Sequence, residues 1–186
     1  MKKLMSLLLA LIMVIGTMTV PAFAYSDVED GTYTSEAITI LTDLDILHGF
    51  VDGSFKPDDT ITRAQMATVI CNALGYGEIG QTTTVFKDVP KEHWASGYIG
   101  MINGLGIVAG YGGGYYGPED PVTYEQVAKI IVATLGYTPM ANEQGGWYQG
   151  YLSVAAQLDI TDNVPMMIGK PAPRGEEAAI VYNAVD

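Results

Sequence analysis

The sequence predicts an all-α fold built from three helix–loop–helix repeats, and two observations lead to this prediction. Residues 27–76 align on residues 88–137 without a gap, so the chain contains an internal repeat. In the first copy, Ile38, Leu41 and Leu44 recur at every third position, a spacing typical of an amphipathic helix. A repeat of this kind is a supersecondary unit that buries its apolar face against its neighbours.

Each repeat is predicted to contain a second helix after a loop. In the first copy the loop, residues 48–59, is rich in the turn-forming residues Gly, Pro and Asp. The second helix begins with a capping box at Thr62 and Gln65, which is repeated at Thr123 and Gln126. In a capping box each side chain accepts a hydrogen bond from a backbone N–H that the helix leaves free.

Both second helices are predicted to end at the sequence LGY. Its glycine, Gly75 or Gly136, suits the left-handed conformation that commonly follows a helix. The pattern as a whole gives six main helices and no sheet beyond brief extended pairs near Phe55 or Tyr115.

A third repeat is more divergent. Trp147 corresponds to Trp94, and Arg174 corresponds to Arg63 at the start of the last helix. This copy lacks the Asp-Val opening of the other two, and its central loop is shorter. The three units are predicted at residues 25–80, 81–140 and 141–186.

Residues 1–24 have the pattern of a signal peptide. Two lysines precede an apolar run from Leu4 to Val20, and the small-residue sequence AFA ends at Ala24. The run is short for a membrane anchor and Pro21 follows it at once, so cleavage after Ala24 is favoured over an uncleaved anchor. The protein is therefore predicted to be secreted.

The chain is acidic, with a formal net charge of −12. This charge argues against nucleic acid as a partner and against docking on an anionic membrane once the signal peptide is removed. Cys71 is the only cysteine, so an intramolecular disulfide is excluded. Its apolar helical surroundings, with Met66, Ile70 and Leu74 on the same face, favour a buried thiol over a catalytic one.

Arg63 raises a question about charge, because it is the first residue after the Thr62 cap. The positive end of the helix dipole does not favour a cation there. The arginine therefore either pairs with an internal acid or receives an external carboxylate or phosphate, and the residues alone leave both alternatives open. The internal candidates are Asp27, Asp58, Asp59 and Asp88.

Aromatic residues stand at the predicted starts of the first helices. They are Tyr33, Trp94 and Trp147. Flat aromatic faces near anion-binding groups suit sugar rings. The alternative is that these side chains close one end of a small helical core.

The second copy resembles the S-layer homology motif. Its sequence FKDVPKEHWASGYIGMINGLGIVAGYGGGYYGPEDPVTYEQVAKII supplies the motif positions Phe86, Asp88, Val89, Trp94, Ala95, Gly106, Ile107, Gly110, Gly114, Tyr116 and Pro118. The first copy supplies Asp27, Val28, Ile46, Gly49, Asp52, Gly53, Phe55, Pro57, Ile61, Thr62, Arg63 and Ala64. In three units the resemblance covers nearly the whole chain after residue 24.

The resemblance implies a pseudo-threefold helical bundle with grooves between adjacent motifs. It also implies non-covalent anchoring to a secondary cell-wall polysaccharide, commonly one that carries a pyruvate ketal. Arg63 would then hold the carboxylate of the ketal. The residues expected at the polysaccharide sites are Arg63, Arg174, Trp94, Trp147, Tyr33, Asp27, Asp88 and Tyr124.

The sequence departs from the family pattern at its arginine position. Arg63 and Arg174 occupy it in the first and third units, but Tyr124 does so in the second. Tyrosine cannot form the bidentate charged contact of arginine. We therefore expect at most two competent grooves, with the Tyr124 groove structural or reduced to sugar stacking.

An enzyme is not expected, because the sequence has no metal-ligand cluster, nucleophile elbow or phosphate loop. Glu176 and Glu177 are adjacent on a helix and diverge, so they do not form an acid–base pair. No catalytic residue, metal or cofactor is predicted. The alternative function is a self-assembly or docking module for other surface proteins, whereas a wall anchor is expected to be monomeric without its polymer.

Overall fold

The computed structural model describes residues 25–185, which form seven helices and isolated β-bridges. The helices are α1 (Tyr33–Asp43), α2 (Arg63–Ala73), α3 (Ser96–Gly104), α4 (Tyr124–Thr134), α5 (Thr138–Glu143), α6 (Gln149–Gln157) and α7 (Arg174–Val185). The predicted signal peptide lies outside the described residues. None of these seven helices has the length and apolar character needed to cross a membrane.

The all-α prediction is confirmed, and the structure adds one short helix to the six main helices expected. The additional helix is α5, which has only six residues and a proline in its first turn. So short a segment shows no helical periodicity, although proline is well tolerated at that position. The extended pair expected near Tyr115 is present as a bridge to Gly112.

The helices pack in a cyclic order. Helix α3 packs on α2, α6 packs on α4, and α1 packs on α7. The first helix of each unit thus lies against the second helix of the preceding unit, and the third unit closes on the first. No unit buries its apolar face alone, as the internal repeat predicts.

Backbone hydrogen bonds repeat this order at the starts of the second helices. Arg63 N–H donates to the carbonyl oxygen of Asp120 at 2.9 Å, and Tyr124 N–H donates to that of Lys170 at 3.2 Å. Arg174 N–H donates to that of Asp59 at 2.7 Å, which returns to the first unit. This cyclic packing brings the first residues of the three second helices together. A threefold rotation that relates the units stays a prediction.

The buried faces of the helices follow the sequence pattern except at the last turns. Ile38 and Leu41 are buried, but Leu44 is 56% exposed because α1 ends at Asp43. Leu74 is exposed for the same reason at the end of α2. The apolar faces that the spacing predicts are therefore buried except at these two last residues.

Cys71 is buried in the core, as predicted. Burial raises the pKa of its thiol to about 11, which keeps the group protonated and unreactive at neutral pH.

The predicted capping box is complete at Thr62. Thr62 N–H donates to Gln65 Oε1 at 2.8 Å, and Gln65 N–H donates to Thr62 Oγ1 at 3.3 Å. At Thr123 only half of it forms, because Thr123 N–H donates to Gln126 Oε1 at 3.3 Å but Thr123 Oγ1 has no hydrogen-bond partner among the described residues. Beyond the helices, Gly75 and Gly136 have φ values of +77° and +84°, the conformation that glycine adopts most readily.

The repeated glycine of the loop, Gly49 or Gly110, lies where two backbone segments meet. A Cβ atom on Gly110 would lie 2.1 Å from the carbonyl oxygen of Tyr115. That oxygen is fixed, because it accepts a hydrogen bond from Tyr111 N–H at 2.8 Å. The loop therefore excludes any side chain at this position.

Gly110→Ala is expected to lower the free energy of unfolding by about 1–3 kcal/mol, because the new methyl group overpacks the loop. Urea unfolding followed by circular dichroism measures this change. Gly104→Ala is the matched control, since a Cβ atom there meets no other atom within 4 Å. An equal loss in both variants would show that close approach at Gly110 is not the cause.

Candidate ligand-binding grooves

The structure contains a groove around Arg63, here called the Arg63 groove, with a volume of about 260 Å³. Its lining consists of Arg63, Val108, Ala109, Gly110, Tyr111, Gln126, Lys129, Ile130 and Trp147. The first unit supplies the arginine, the second supplies the loop and helix α4, and the third supplies the tryptophan.

A second groove, here called the Arg174 groove, has a volume of about 150 Å³. Its lining consists of Ile46, Leu47, His48, Gln65, Thr68, Val69, Asn72, Trp94 and Arg174. The arginine now comes from the third unit, the loop and α2 from the first, and the tryptophan from the second. The two grooves are therefore built in the same way from corresponding residues.

Arg63 is buried, with only 5% of its surface exposed. Its Nε donates to the carbonyl oxygen of Tyr116 at 2.9 Å, and a terminal nitrogen donates to that of Ala109 at 3.4 Å. Its Cζ atom lies 4.6 Å from the ring centroid of Tyr111 and 4.4 Å from that of Tyr116. The two rings hold the guanidinium through cation–π contacts.

Arg174 is held in a corresponding way. Its Cζ atom lies 4.4 Å from the ring centroid of Phe55 and 5.3 Å from that of Phe50. A terminal nitrogen donates to the carbonyl oxygen of His48. Because a guanidinium has five N–H donors, each arginine keeps donors for a ligand.

The internal salt bridge considered for Arg63 is not formed. Within residues 25–185, neither Arg63 nor Arg174 forms an ion pair with a carboxylate. Carbonyl oxygens and aromatic rings hold both guanidinium groups in place. Neither neutralises a positive charge, so both arginines remain available to an external anion.

Trp94 and Trp147 lie in the turns before α3 and α6, two residues ahead of each helix. They are 50% and 56% exposed, so their rings line the grooves and do not fill the core. Tyr33 is different, because it is the first residue of α1 and packs against Tyr182 with ring centroids 5.7 Å apart. Its hydroxyl donates to the Asn183 side chain on α7.

Tyr124 is completely buried, and its hydroxyl donates to the Glu176 carboxylate. Burial and this hydrogen bond raise the pKa of the tyrosine well above its usual value. A buried ring offers no face to a sugar, so the structure favours the structural alternative for Tyr124 over stacking. Glu176 occupies in the third unit the position that Gln65 has in the first, where Gln65 lines the Arg174 groove. The Glu176 carboxylate is already occupied by its hydrogen bond from the Tyr124 hydroxyl.

Asp27 and Asp88 brace the loops. Asp27 accepts hydrogen bonds from the N–H groups of Phe55 and Lys56, both at 2.8 Å. Asp88 accepts them from Tyr116 at 2.9 Å and Gly117 at 2.8 Å. The bonds from Phe55 and Lys56 lower the pKa of Asp27, although burial opposes them. Each aspartate thus acts on its arginine indirectly. It fixes the loop that carries an aromatic side chain, Phe55 or Tyr116, in contact with the guanidinium group.

Lys129 is a groove residue that the sequence analysis missed. It is partly buried on α4, and its Nζ lies 5.7 Å from the ring centroid of Tyr151. Burial and the nearby positive charge of Arg63 lower its pKa. The sequence indicated this position through Gln126, which also lines the groove, since residues three apart share one helix face. The corresponding residue of the other groove is Thr68, so the Arg63 groove carries one more cation.

Comparison with known proteins finds similarity to one family in two parts of the chain. Residues 24–67 and 85–128 match the S-layer homology domain. Apart from residue 24, these two stretches fall within the first and second predicted units. The third unit remains a prediction from the resemblance.

Relatives of known name match most or all of the chain. This chain is 30% identical to a cell surface protein of Thermoanaerobacter kivui and 28% identical to the middle cell wall protein of Brevibacillus brevis. Both matches cover the full length of this chain. The chain is 26% identical to the cellulosome-anchoring protein of Acetivibrio thermocellus over 75% of its length. The chain spans 24%, 18% and 35% of these three relatives. The domain and these relatives support a secreted, cell-surface location.

Proposed function

We propose that this chain, which carries S-layer homology sequence in its first two units, attaches a secreted protein to the bacterial cell wall by binding an acidic secondary cell-wall polysaccharide. The Arg63 and Arg174 grooves are the proposed sites. The observation that carries this proposal is their common construction, in which an arginine with spare donors lies beside an exposed tryptophan. Anchoring at the cell surface is the general role that the domain and its relatives support.

The chemistry of the grooves fits a sugar that bears a carboxylate, such as a pyruvate ketal. The planar guanidinium pairs with both oxygens of a carboxylate, which lysine or tyrosine cannot do. The tryptophan offers an apolar face to the C–H groups of the sugar ring. The fixed rings and carbonyl oxygens hold each arginine in place before the ligand arrives, which reduces the ordering cost of binding.

Two sites on one protein explain how an acidic chain can hold an acidic polymer. The net charge, which is −12 for the whole chain and −14 without the two lysines of the signal peptide, repels the polymer at distances up to the screening length, about 8 Å at physiological salt. The attraction therefore comes from direct pairing in the grooves. When one polymer chain occupies both grooves, effective concentration increases the overall affinity by about a hundredfold or more.

No catalytic role is proposed for these residues. Some relatives are named as enzymes, an amylopullulanase and an endoglucanase, but the chain spans only 9% and 12% of their lengths. The shared part is therefore small compared with the whole of each enzyme.

Co-sedimentation of residues 25–186 with purified cell-wall sacculi tests the proposal. One sample keeps the secondary polymer, and the matched control is chemically stripped of it. We expect binding only to the first. Equal binding to both would assign peptidoglycan as the ligand. Absence of binding to either, with self-association as concentration rises, would favour the alternative of a surface-layer assembly module.

A further inference from the structure

Glu177 is a buried acid next to one of the two arginines. Only 3% of its surface is exposed, and neither carboxylate oxygen has a hydrogen-bond partner. It follows Arg174 by three residues on α7, so both side chains lie on one helix face. Both also line a small cavity of about 10 Å³, which is about the space of one water molecule.

The Arg63 groove has no such acid. Met66 takes the corresponding place on α2, and it is fully buried. The arginines differ accordingly, since Arg63 Nε donates to the Tyr116 carbonyl oxygen, whereas Arg174 Nε is buried without a partner. The Arg174 groove therefore has beside it a buried acid without a hydrogen-bond partner, which its counterpart lacks.

The surroundings of Glu177 favour its neutral form. Burial raises its pKa well above the ordinary value of 4.5, and the charge of Arg174 opposes this effect. On α4 the titratable group that faces it is Tyr124, which stays protonated because its own pKa is raised. The cavity walls from α2 and the preceding loops are apolar, namely Leu47, Ile61, Met66 and Val69. On the groove side, Asp59, Tyr25 and His48 adjoin Arg174.

We infer that Glu177 couples proton uptake to anion binding in the Arg174 groove and that the Arg63 groove binds its anion without this coupling. This inference rests on the proposed function. When Glu177 is ionised, it offsets the positive charge of Arg174, and the groove attracts a carboxylate weakly. When it takes a proton from solvent, the full charge of Arg174 faces the ligand. Binding in this groove is therefore tighter at lower pH and weakens as pH rises through the pKa of Glu177.

The two tryptophans allow each groove to be measured separately. The chain contains only two, Trp94 in the Arg174 groove and Trp147 in the Arg63 groove. Their indole N–H signals in an NMR titration report the two sites, and Trp94→Phe assigns them. The probe is a pyruvate ketal of a methyl hexoside, whose carboxylate stays ionised from about pH 5 to 8 because carboxyl pKa values lie near 4.

We expect the affinity measured at Trp94 to fall about tenfold as the pH is raised from about 5 to about 8. The affinity measured at Trp147 should change less than about twofold. In Glu177→Gln the Trp94 affinity should stay at its low-pH value, because glutamine mimics the neutral acid. Glu177→Met, which copies Met66, is a second variant in case glutamine disturbs the core. His48→Asn removes the imidazole from the groove lining but keeps the backbone carbonyl that accepts a hydrogen bond from Arg174, so the pH dependence should persist in it.

Equal pH dependence at both indoles, or loss of the dependence in His48→Asn alone, would overturn the inference and leave the proposed function intact. If neither indole signal shifts when the probe is added, the proposed function is contradicted. A titration of isotope-labelled glutamate without ligand tests Glu177 independently. We expect one carboxyl signal, missing in Glu177→Gln, to titrate well above 4.5. An ordinary value for that signal would overturn the inference whatever the ligand result.

Discussion

Alanine in place of Arg63 or Arg174 is expected to weaken binding to polymer-bearing sacculi by about ten- to a hundredfold for each variant. A hydrogen bond to a charged group contributes about 1.5–3 kcal/mol, and each 1.4 kcal/mol is a factor of ten. The double variant should lose more than either single one, because it removes both sites. Equilibrium co-sedimentation over a range of sacculus concentrations measures these affinities.

Two matched variants separate the geometry of the guanidinium from its charge. Arg63→Lys keeps the positive charge but loses the planar fork, so it should recover only part of the affinity. Lys91→Ala removes an exposed cation outside both grooves and should bind like the wild type. Because Arg63 is buried, thermal unfolding must show that each variant is folded at the assay temperature. Wild-type binding by the folded double variant would contradict the proposed sites.

The local features of the fold could be predicted from the sequence because their causes are local. The capping box at Thr62 and the glycine ending at Gly75 each depend on a few consecutive residues. The internal repeat fixed the relation between units, and corresponding residues do take corresponding places, as Asp27 and Asp88 show. The spacing alone did not show where the first helix ends, and Leu44 is exposed because the helix ends at Asp43.

The candidate site was predicted only in part, because its contacts join residues that are distant in sequence. The charge argument singled out Arg63 but left an internal salt bridge and an external anion both open. Its aromatic neighbours Tyr111 and Tyr116 come from the next unit. Lys129 fills no motif position, and only the packing of α4 places it in the groove. The burial of Glu177 depends likewise on neighbours from α2 and α4 that no local pattern reveals.

Asp88→Ala is expected to lower the free energy of unfolding by about 2–4 kcal/mol, because two backbone N–H groups lose a charged acceptor. These groups belong to Tyr116 and Gly117 in the loop of the second unit. Chemical unfolding near neutral pH measures the change. Asp43→Ala is the matched control, since Asp43 is exposed at the end of α1 and should change stability little.

The pH dependence of this loss identifies its cause. Burial acts to raise the pKa of Asp88, but the hydrogen bonds from Gly117 and Tyr116 outweigh it and lower the pKa below 3.8. A lowered pKa stabilises the folded protein above the unfolded value, and this stabilisation disappears as pH falls through the folded value. The difference between wild type and Asp88→Ala should therefore be full at neutral pH and shrink below about pH 4. A difference that stays constant down to about pH 2 would show that the carboxylate charge is not what holds the loop.

If the carboxylate does hold the loop, Asp88→Ala should also weaken ligand binding in the Arg63 groove. The same loop carries the Tyr116 carbonyl oxygen that accepts the hydrogen bond from Arg63 Nε.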